Sequence, residues 1–299
     1  MSDTIINVDG HAITVSNPDK VLFPDDGLTK ADLADYDRRI APIALPHFRN
    51  RPVTMQRFPD GIDGEGFFQK NIPDYFPDWI ERVELPKEGG TVRHVLVSSA
   101  AALVYLANQG CITPHLGVAP ASTPDRPDRL VFDLDPSDDD FGKVQMVARA
   151  LKDLFDGWDL TCFVQTTGSR GLHIVLPLDG SADFDTLRPF ARRVAERIAA
   201  DLPQVATDEQ RKAKRGDRVL VDTFRTAYGQ TSVAPYAVRA RPGAPVATPL
   251  RWAEALDPGM GPRKYTMANI FRRTGQIGDP WADIARNPLR ADRLPGLPS

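Results

Sequence analysis

The clearest alternation of apolar and polar positions runs over Arg129-Leu-Val-Phe-Asp-Leu-Asp-Pro136. As a strand it puts Leu130, Phe132 and Leu134 on one face and Val131, Asp133 and Asp135 on the other. Similar patterns predict a hairpin over Ile5–Val8 and Ala12–Val15, turning at Asp9-Gly10, and strands from Arg51, over 160–167, over Leu172–Pro177 and over Val219–Phe224. A period near 3.6 predicts helices from a Thr29 cap to about Ile40, from Ser98 to Asn108, over 142–155 and over 183–202. In the last of these, Pro189 places the start of the regular part near itself. Residues 250–299, with a proline-rich tail after Pro280, read as peripheral.

Asp133 and Asp135 project side by side, with Cα atoms about 6–7 Å apart for a strand rise of about 3.3 Å per residue. Carboxylates on an otherwise apolar strand are costly unless a cation neutralises them, and paired oxygen donors suit Mg²⁺ or Mn²⁺. The simpler reading is a strand end whose acids face water. Asp222, isolated in the apolar strand Val219-Leu-Val-Asp-Thr-Phe224, is the third carboxylate if its strand lies beside the first.

Cations gather in several places. Gly168-Ser-Arg-Gly171 is a tight turn that allows close backbone approach, with Arg170 in reach and His173 on the next strand, an arrangement that suits a triphosphate. Lys20 and Lys30 flank a helix N-terminus, where exposed N–H groups favour a phosphate; solvated lysines are the alternative. Phe67 and Phe68 cannot both face one core from a strand. Exposed beside Arg57 and Lys70 they would stack on bases; burial of both is the competing outcome. Glu209–Arg218 holds the densest basic run.

Composition narrows the class. The chain has 299 residues, 41% hydrophobic and 26% charged, with a formal net charge of −3. That excludes a globally basic nucleic-acid binder but permits a locally basic face. Cys111 and Cys162 lack metal-ligand spacing and read as reduced core thiols. Without an 18-residue apolar run or a signal-peptide pattern at Met1-Ser-Asp-Thr-Ile-Ile, the expected location is the cytoplasm, at the nucleoid, with no membrane partner.

Together, Asn17-Pro-Asp-Lys-Val-Leu-Phe-Pro24, Arg57-Phe-Pro-Asp-Gly61, Phe67-Phe-Gln-Lys70, Leu130–Pro136, Thr166-Thr-Gly-Ser-Arg-Gly-Leu-His173, Arg211–Gly216, Val219–Asp222 and Val233–Arg241 resemble the polymerase domain of bacterial ligase D, within the archaeo-eukaryotic primase superfamily. The resemblance runs from Asn17 to Leu256. It implies an α+β fold: a primase-like core with an antiparallel, RRM-like catalytic sheet flanked by helices, and a smaller N-terminal α/β subdomain. One domain is expected over 1–299, with DNA contacts in 1–125, catalysis in 126–245 and a peripheral 246–299.

The resemblance also implies roles. Asp133, Asp135 and Asp222 would hold two divalent ions, Mn²⁺ favoured and Mg²⁺ possible. Thr167, Ser169, Arg170 and His173 would hold the triphosphate of an NTP or dNTP, with His115, Arg218 and Arg239 near the nucleotide. Lys20, Lys30 and Arg57 would hold the 5′-phosphate of a gap or broken end, and Phe67 and Phe68 would pack on template bases there, with Lys70 beside them read as a further DNA contact. Arg170 stands where the family has lysine, Thr167 where it has serine and Thr226 where asparagine is common. The implied activity is nucleotidyl transfer, ribonucleotides preferred, in non-homologous end joining, with Ku and a DNA ligase as partners. A primase or short-gap-repair polymerase independent of Ku, and an inactive DNA-end binding module, are the alternatives. No ligase or nuclease segment follows, so a stand-alone protein or an excised domain is expected.

Overall fold

The computed structural model describes residues 3–286 and 288–297; Met1, Ser2 and the last two residues of the proline-rich tail lie outside them. The chain forms two compact units. One comprises Met1–Gly117, Val233–Ala247 and Tyr265–Gly278; the other Val118–Ser232, Thr248–Lys264 and Asp279–Ser299.

The first unit opens with the hairpin of β1 (Thr4–Val8) and β2 (His11–Val15). Its turn puts Asp9 at φ 49° and Gly10 at φ 77°, the left-handed pair that a two-residue hairpin turn demands. Next, β3 (Val21–Phe23) and β4 (Leu28–Thr29) lead into α1 (Lys30–Phe48). Thr29 and Asp32 form a reciprocal capping box. The helix does not stop at Ile40 but continues through Pro42 and Pro46. Each proline forfeits a helical hydrogen bond, but Ala41, Ala44 and Phe48 are almost fully buried, and that burial outweighs the loss.

A sheet follows: β5 (Pro52–Arg57), β6 (Phe67–Gln69), β7 (Arg82–Lys87), β8 (Gly90–Leu96) and, after α2 (Ala100–Asn108), β9 (Cys111–Gly117). The antiparallel order is β9-β5-β8-β7, with β6 also on β5. Ser99, one residue later than expected, caps α2 at the Ala102 N–H (3.2 Å), and Asp9 accepts from the Ala100 N–H at 2.7 Å.

In the second unit β10 (Arg129–Pro136) is followed by α3 (Phe141–Gly157), β11 (Phe163–Thr166), β12 (Leu172–Pro177), α4 (Phe184–Asp201), β13 (Ala206–Thr207), the short α5 (Lys212–Arg215) and β14 (Val219–Asp222). Strand order is β13-β14-β10-β12-β11, then Pro249–Leu250; only β13 and β14 are parallel. Phe132 faces α3, its ring 5.5 Å from that of Phe155. The odd-numbered side chains of β10 therefore face away from that helix. Helix α4 starts at Phe184, within the expected 183–202, and is regular from there rather than only from near Pro189, because Asp183 caps it at the Thr186 N–H (2.8 Å) and Phe184 and Leu187 are buried.

Two expectations about organisation change. Residues 233–247 belong with the first unit: the Ala234 N–H donates to the Pro114 carbonyl at 3.1 Å and Thr113 Oγ1 to the Val238 carbonyl at 2.7 Å. Nor is 246–299 wholly peripheral. Trp281 is buried against Val131 and Val175 and donates its indole N–H to the Val164 carbonyl at 3.1 Å. An apolar cluster thus closes the end of the β10 face that Val131 occupies. Among the described residues no helix is long and apolar enough to cross a membrane.

Candidate active site

Strand register gathers the chemistry. Asp133 of β10 stands opposite His173 of β12 on one side and Asp222 of β14 on the other, and Gln165 of β11 stands opposite His173. A row Gln165–His173–Asp133–Asp222 therefore crosses four strands on one face. Asp135 lies one pleat further along, opposite Leu220. Directly opposed residues of antiparallel strands have Cα atoms about 4.5–5.5 Å apart, so the three carboxylates are near neighbours.

Each is turned onto its own partner. Asp133 meets His173 Nε2 at 3.4 Å and Arg225 Nη2 at 3.5 Å. Asp135 meets Arg170 Nη2 at 2.9 Å and Arg215 Nη1 at 3.3 Å. Asp222 accepts from the Phe224 N–H at 2.8 Å. As they stand, no three His, Cys, Asp or Glu side chains among the described residues converge on a point that could hold one ion. The donor set nevertheless fits a hard divalent cation: three carboxylates on neighbouring strand positions of one sheet face.

The electrostatics differ along the row. Burial pushes the Asp133 carboxyl up, but the charge and hydrogen bond of His173, then those of Arg225, outweigh it and hold the pKa at about 2. Asp222 goes the other way. Burial raises it, the Phe224 N–H opposes, and the negative charge of Asp133 adds to the rise. One of two facing carboxyls stays ionised while its neighbour holds a proton longer, as expected of close acids without a cation between them.

The turn before β12 sits on the same strand. A Cβ on Gly171 would lie 1.8 Å from the Leu134 carbonyl oxygen, so only glycine lets the turn approach the backbone between Asp133 and Asp135. Thr167 organises the turn. Its hydroxyl accepts from the Ser169 and Gly171 N–H groups, both at 3.2 Å, and its N–H donates to the Gly171 carbonyl at 3.0 Å. Ser169 is half-buried and Arg170 exposed at the rim.

Arg218, expected near the nucleotide, is engaged by its own loop. Its guanidinium donates to the Arg215 and Lys214 carbonyls at 2.8 and 3.0 Å and holds the basic loop together. The arginine of that loop which reaches the carboxylates is Arg215, buried and gripped by the Glu209 and Gln210 carbonyls at 3.0 and 2.6 Å. Lys143 anchors the loop by bridging Asp138 and Asp217 at 2.6 and 2.7 Å. Arg215 and Arg225 escape sequence reasoning: the first is one of many charges in a basic run, the second sits in a loop without periodicity.

The remaining site candidates lie in the first unit. Lys30, the first residue of α1, is buried, and its ammonium donates to Ser16 Oγ at 3.3 Å. Burial, then the charge of Lys20, lowers its pKa. The Lys30 N–H donates to the Lys20 carbonyl at 2.9 Å, and Lys20 Nζ meets Asp60 at 2.7 Å. Phe67 and Phe68 are 44% and 61% exposed, which decides against burial of both. Phe68 meets His115 of β9 edge-on at 5.3 Å. Lys70 is exposed beyond them, and Arg239 sits in the 233–247 segment, its N–H bonded to the Pro245 carbonyl at 2.7 Å.

A family model described as LigD, primase-polymerase domain, matches residues 29–281. The chain is 34% identical over 291 residues to the multifunctional non-homologous end joining DNA repair protein LigD of Mycobacterium tuberculosis (strain ATCC 25618 / H37Rv), covering 94% of this chain and 38% of that protein. It is 32% identical over 272 residues to the bifunctional non-homologous end joining protein LigD of Bacillus subtilis (strain 168), covering 90% of this chain and 44% of that protein. The chain spans less than half the length of these relatives. Among solved structures, the polymerase domain of Mycobacterium tuberculosis ligase D in complex with DNA matches with a TM-score of 0.85 and 32% identity, over 93% of this chain and 99% of that one. The α+β, primase-like fold follows from that match.

Proposed function

Since the chain belongs to the LigD primase-polymerase domain family, we propose that it is a template-dependent nucleotidyltransferase that extends a primer at gaps or broken DNA ends in non-homologous end joining. The observation that carries this reading is the row Asp222–Asp133–His173 with the Gly171 turn seated beside it. Anionic oxygens next to a cationic turn suit a reaction between a hydroxyl and a triphosphate.

Asp133, Asp135 and Asp222 would hold two divalent ions, Mn²⁺ favoured. Such ions supply activation of the primer 3′-hydroxyl and charge neutralisation at the leaving pyrophosphate. The chain's own groups do the rest. Ser169, Arg170 and His173 hold the triphosphate, and Thr167 keeps their turn in shape. Arg170 and Arg215 neutralise Asp135 in the free protein; were Asp135 to hold a cation instead, the exposed Arg170 would be free to meet phosphate oxygens. Arg225 stands in the same relation to Asp133. Lys20 and Lys30 bind the 5′-phosphate, and Phe67 and Phe68 stack on template bases. For His115 and Arg239 the assignment near the nucleotide rests on the motif match alone. Ribonucleotide preference and partnership with Ku and a DNA ligase complete the reading.

The test is extension of gapped, broken and unprimed templates side by side, with Mn²⁺ and ribonucleotides. Extension of the first two, stronger with a 5′-phosphate, is expected. Activity on unprimed template alone would overturn the end-joining assignment in favour of priming.

A further inference from the structure

The two adjacent phenylalanines of β6 do not share a surface. In the β5–β6 register Phe67 stands opposite Arg57 and Phe68 opposite Gln56, so the strand sends the rings to opposite faces. Phe68 goes to the His115 side. Phe67 lies with Arg57, whose guanidinium carbon is 5.6 Å from the ring centre. Arg57 is immobilised: Nε donates to the Gln109 carbonyl at 2.8 Å and Nη1 to Gln69 Oε1 at 2.7 Å. The same Nη1 reaches a third ring, donating to the Tyr75 hydroxyl at 3.3 Å.

Tyr75 is 63% exposed, more than Phe67. Its ring is nevertheless braced, 5.3 Å from Phe76, which in turn meets Tyr105 edge-on at 5.0 Å. Two exposed rings, Phe67 and Tyr75, thus adjoin one guanidinium, with the exposed Lys70 following Gln69. Burying apolar surface does not require this arrangement, since both rings leave theirs in water. A flat aromatic face next to a fixed cation matches a nucleobase joined to a phosphate.

We propose that Tyr75, with Phe67 and Arg57, forms a stacking site for an unpaired base of single-stranded DNA. The proposal rests on the DNA-end reading and deepens it: the site favours gaps and overhangs over blunt ends, and Phe68 acts on a separate face.

The test uses the full chain and two 5′-phosphorylated duplexes, one blunt and one with a short unpaired template overhang carrying 2-aminopurine. Affinity is read by anisotropy and stacking by 2-aminopurine quenching. Tyr75→Ala is expected to weaken overhang binding by about five- to fiftyfold, relieve quenching and leave blunt-end affinity unchanged. Tyr75→Phe, which keeps the ring, is expected to stay within about twofold of wild type. If Phe67→Ala weakens overhang binding and Tyr75→Ala does not, the proposal is overturned while the DNA reading stands. Loss in Tyr75→Phe equal to that in Tyr75→Ala overturns stacking as the cause. Equal affinity of the wild-type chain for both duplexes overturns the site and removes the template-stacking part of the proposed function.

Discussion

Asp222 holds its proton to a higher pH than an ordinary carboxyl, because it is buried and faces the charge of Asp133. A carboxyl whose folded pKa is raised costs the fold nothing below its unfolded value and a growing amount as pH rises through the folded one. In metal-free protein, Asp222→Asn should therefore raise the melting temperature near neutral pH by a few degrees and give no gain near pH 4. The same variant should lose Mn²⁺ binding by titration calorimetry. An unchanged melting temperature at neutral pH would count against the electrostatic account. Lys30 offers the cationic counterpart. Burial and Lys20 lower its pKa, so its charge is a liability in the free protein at neutral pH. Lys30→Met should melt higher than wild type yet lose the preference for 5′-phosphorylated over 5′-hydroxyl ends in a binding titration. A variant that melts higher and keeps the preference would leave Lys30 without its assigned role.

At the scale of elements, the turn Thr167–Gly171 couples β12 to β10. Gly171→Ala puts a methyl carbon into the Leu134 carbonyl, a backbone atom that cannot swing aside. Denaturant unfolding should show a loss of about 2–4 kcal/mol, with nucleotide affinity falling alongside. A loss below about 0.5 kcal/mol would mean that the turn has room to retreat. The elements also explain what the sequence reveals. Alternation is local, so Asp133, Asp135 and His173 can be assigned to faces from β10 and β12 alone. That Asp222 falls opposite Asp133, rather than one residue out of register, is set by pairing between distant segments. The Val219–Phe224 pattern states only that such a partner exists. Arg215 differs from its neighbours Lys212 and Lys214 because backbone carbonyls at Glu209 and Gln210 capture it, which no composition encodes. The length of α1 is hidden for a related reason: Pro42 and Pro46 argue locally for a stop, and tertiary burial overrides them. Tyr75 sits in a loop, where no periodicity marks which aromatic is exposed.

For the whole molecule, a net charge of −3 conceals an uneven distribution. Arg170, Arg215 and Arg225 pair with Asp135 and Asp133 in one unit, while Lys20, Lys30, Arg57 and Lys70 occupy the other. On the proposed reading, two divalent cations and a nucleoside triphosphate would nearly cancel each other's charge, so binding both would leave the balance of the carboxylate site intact. The central claim is that this site transfers nucleotides. Its most direct measurement is Mn²⁺-dependent addition of a ribonucleotide to a 5′-phosphorylated single-nucleotide gap, by wild type and by Asp133→Ala, with folding of the variant checked by circular dichroism. The account predicts extension by wild type and a loss of at least about a thousandfold in the folded variant. Extension by Asp133→Ala at the wild-type rate would contradict it.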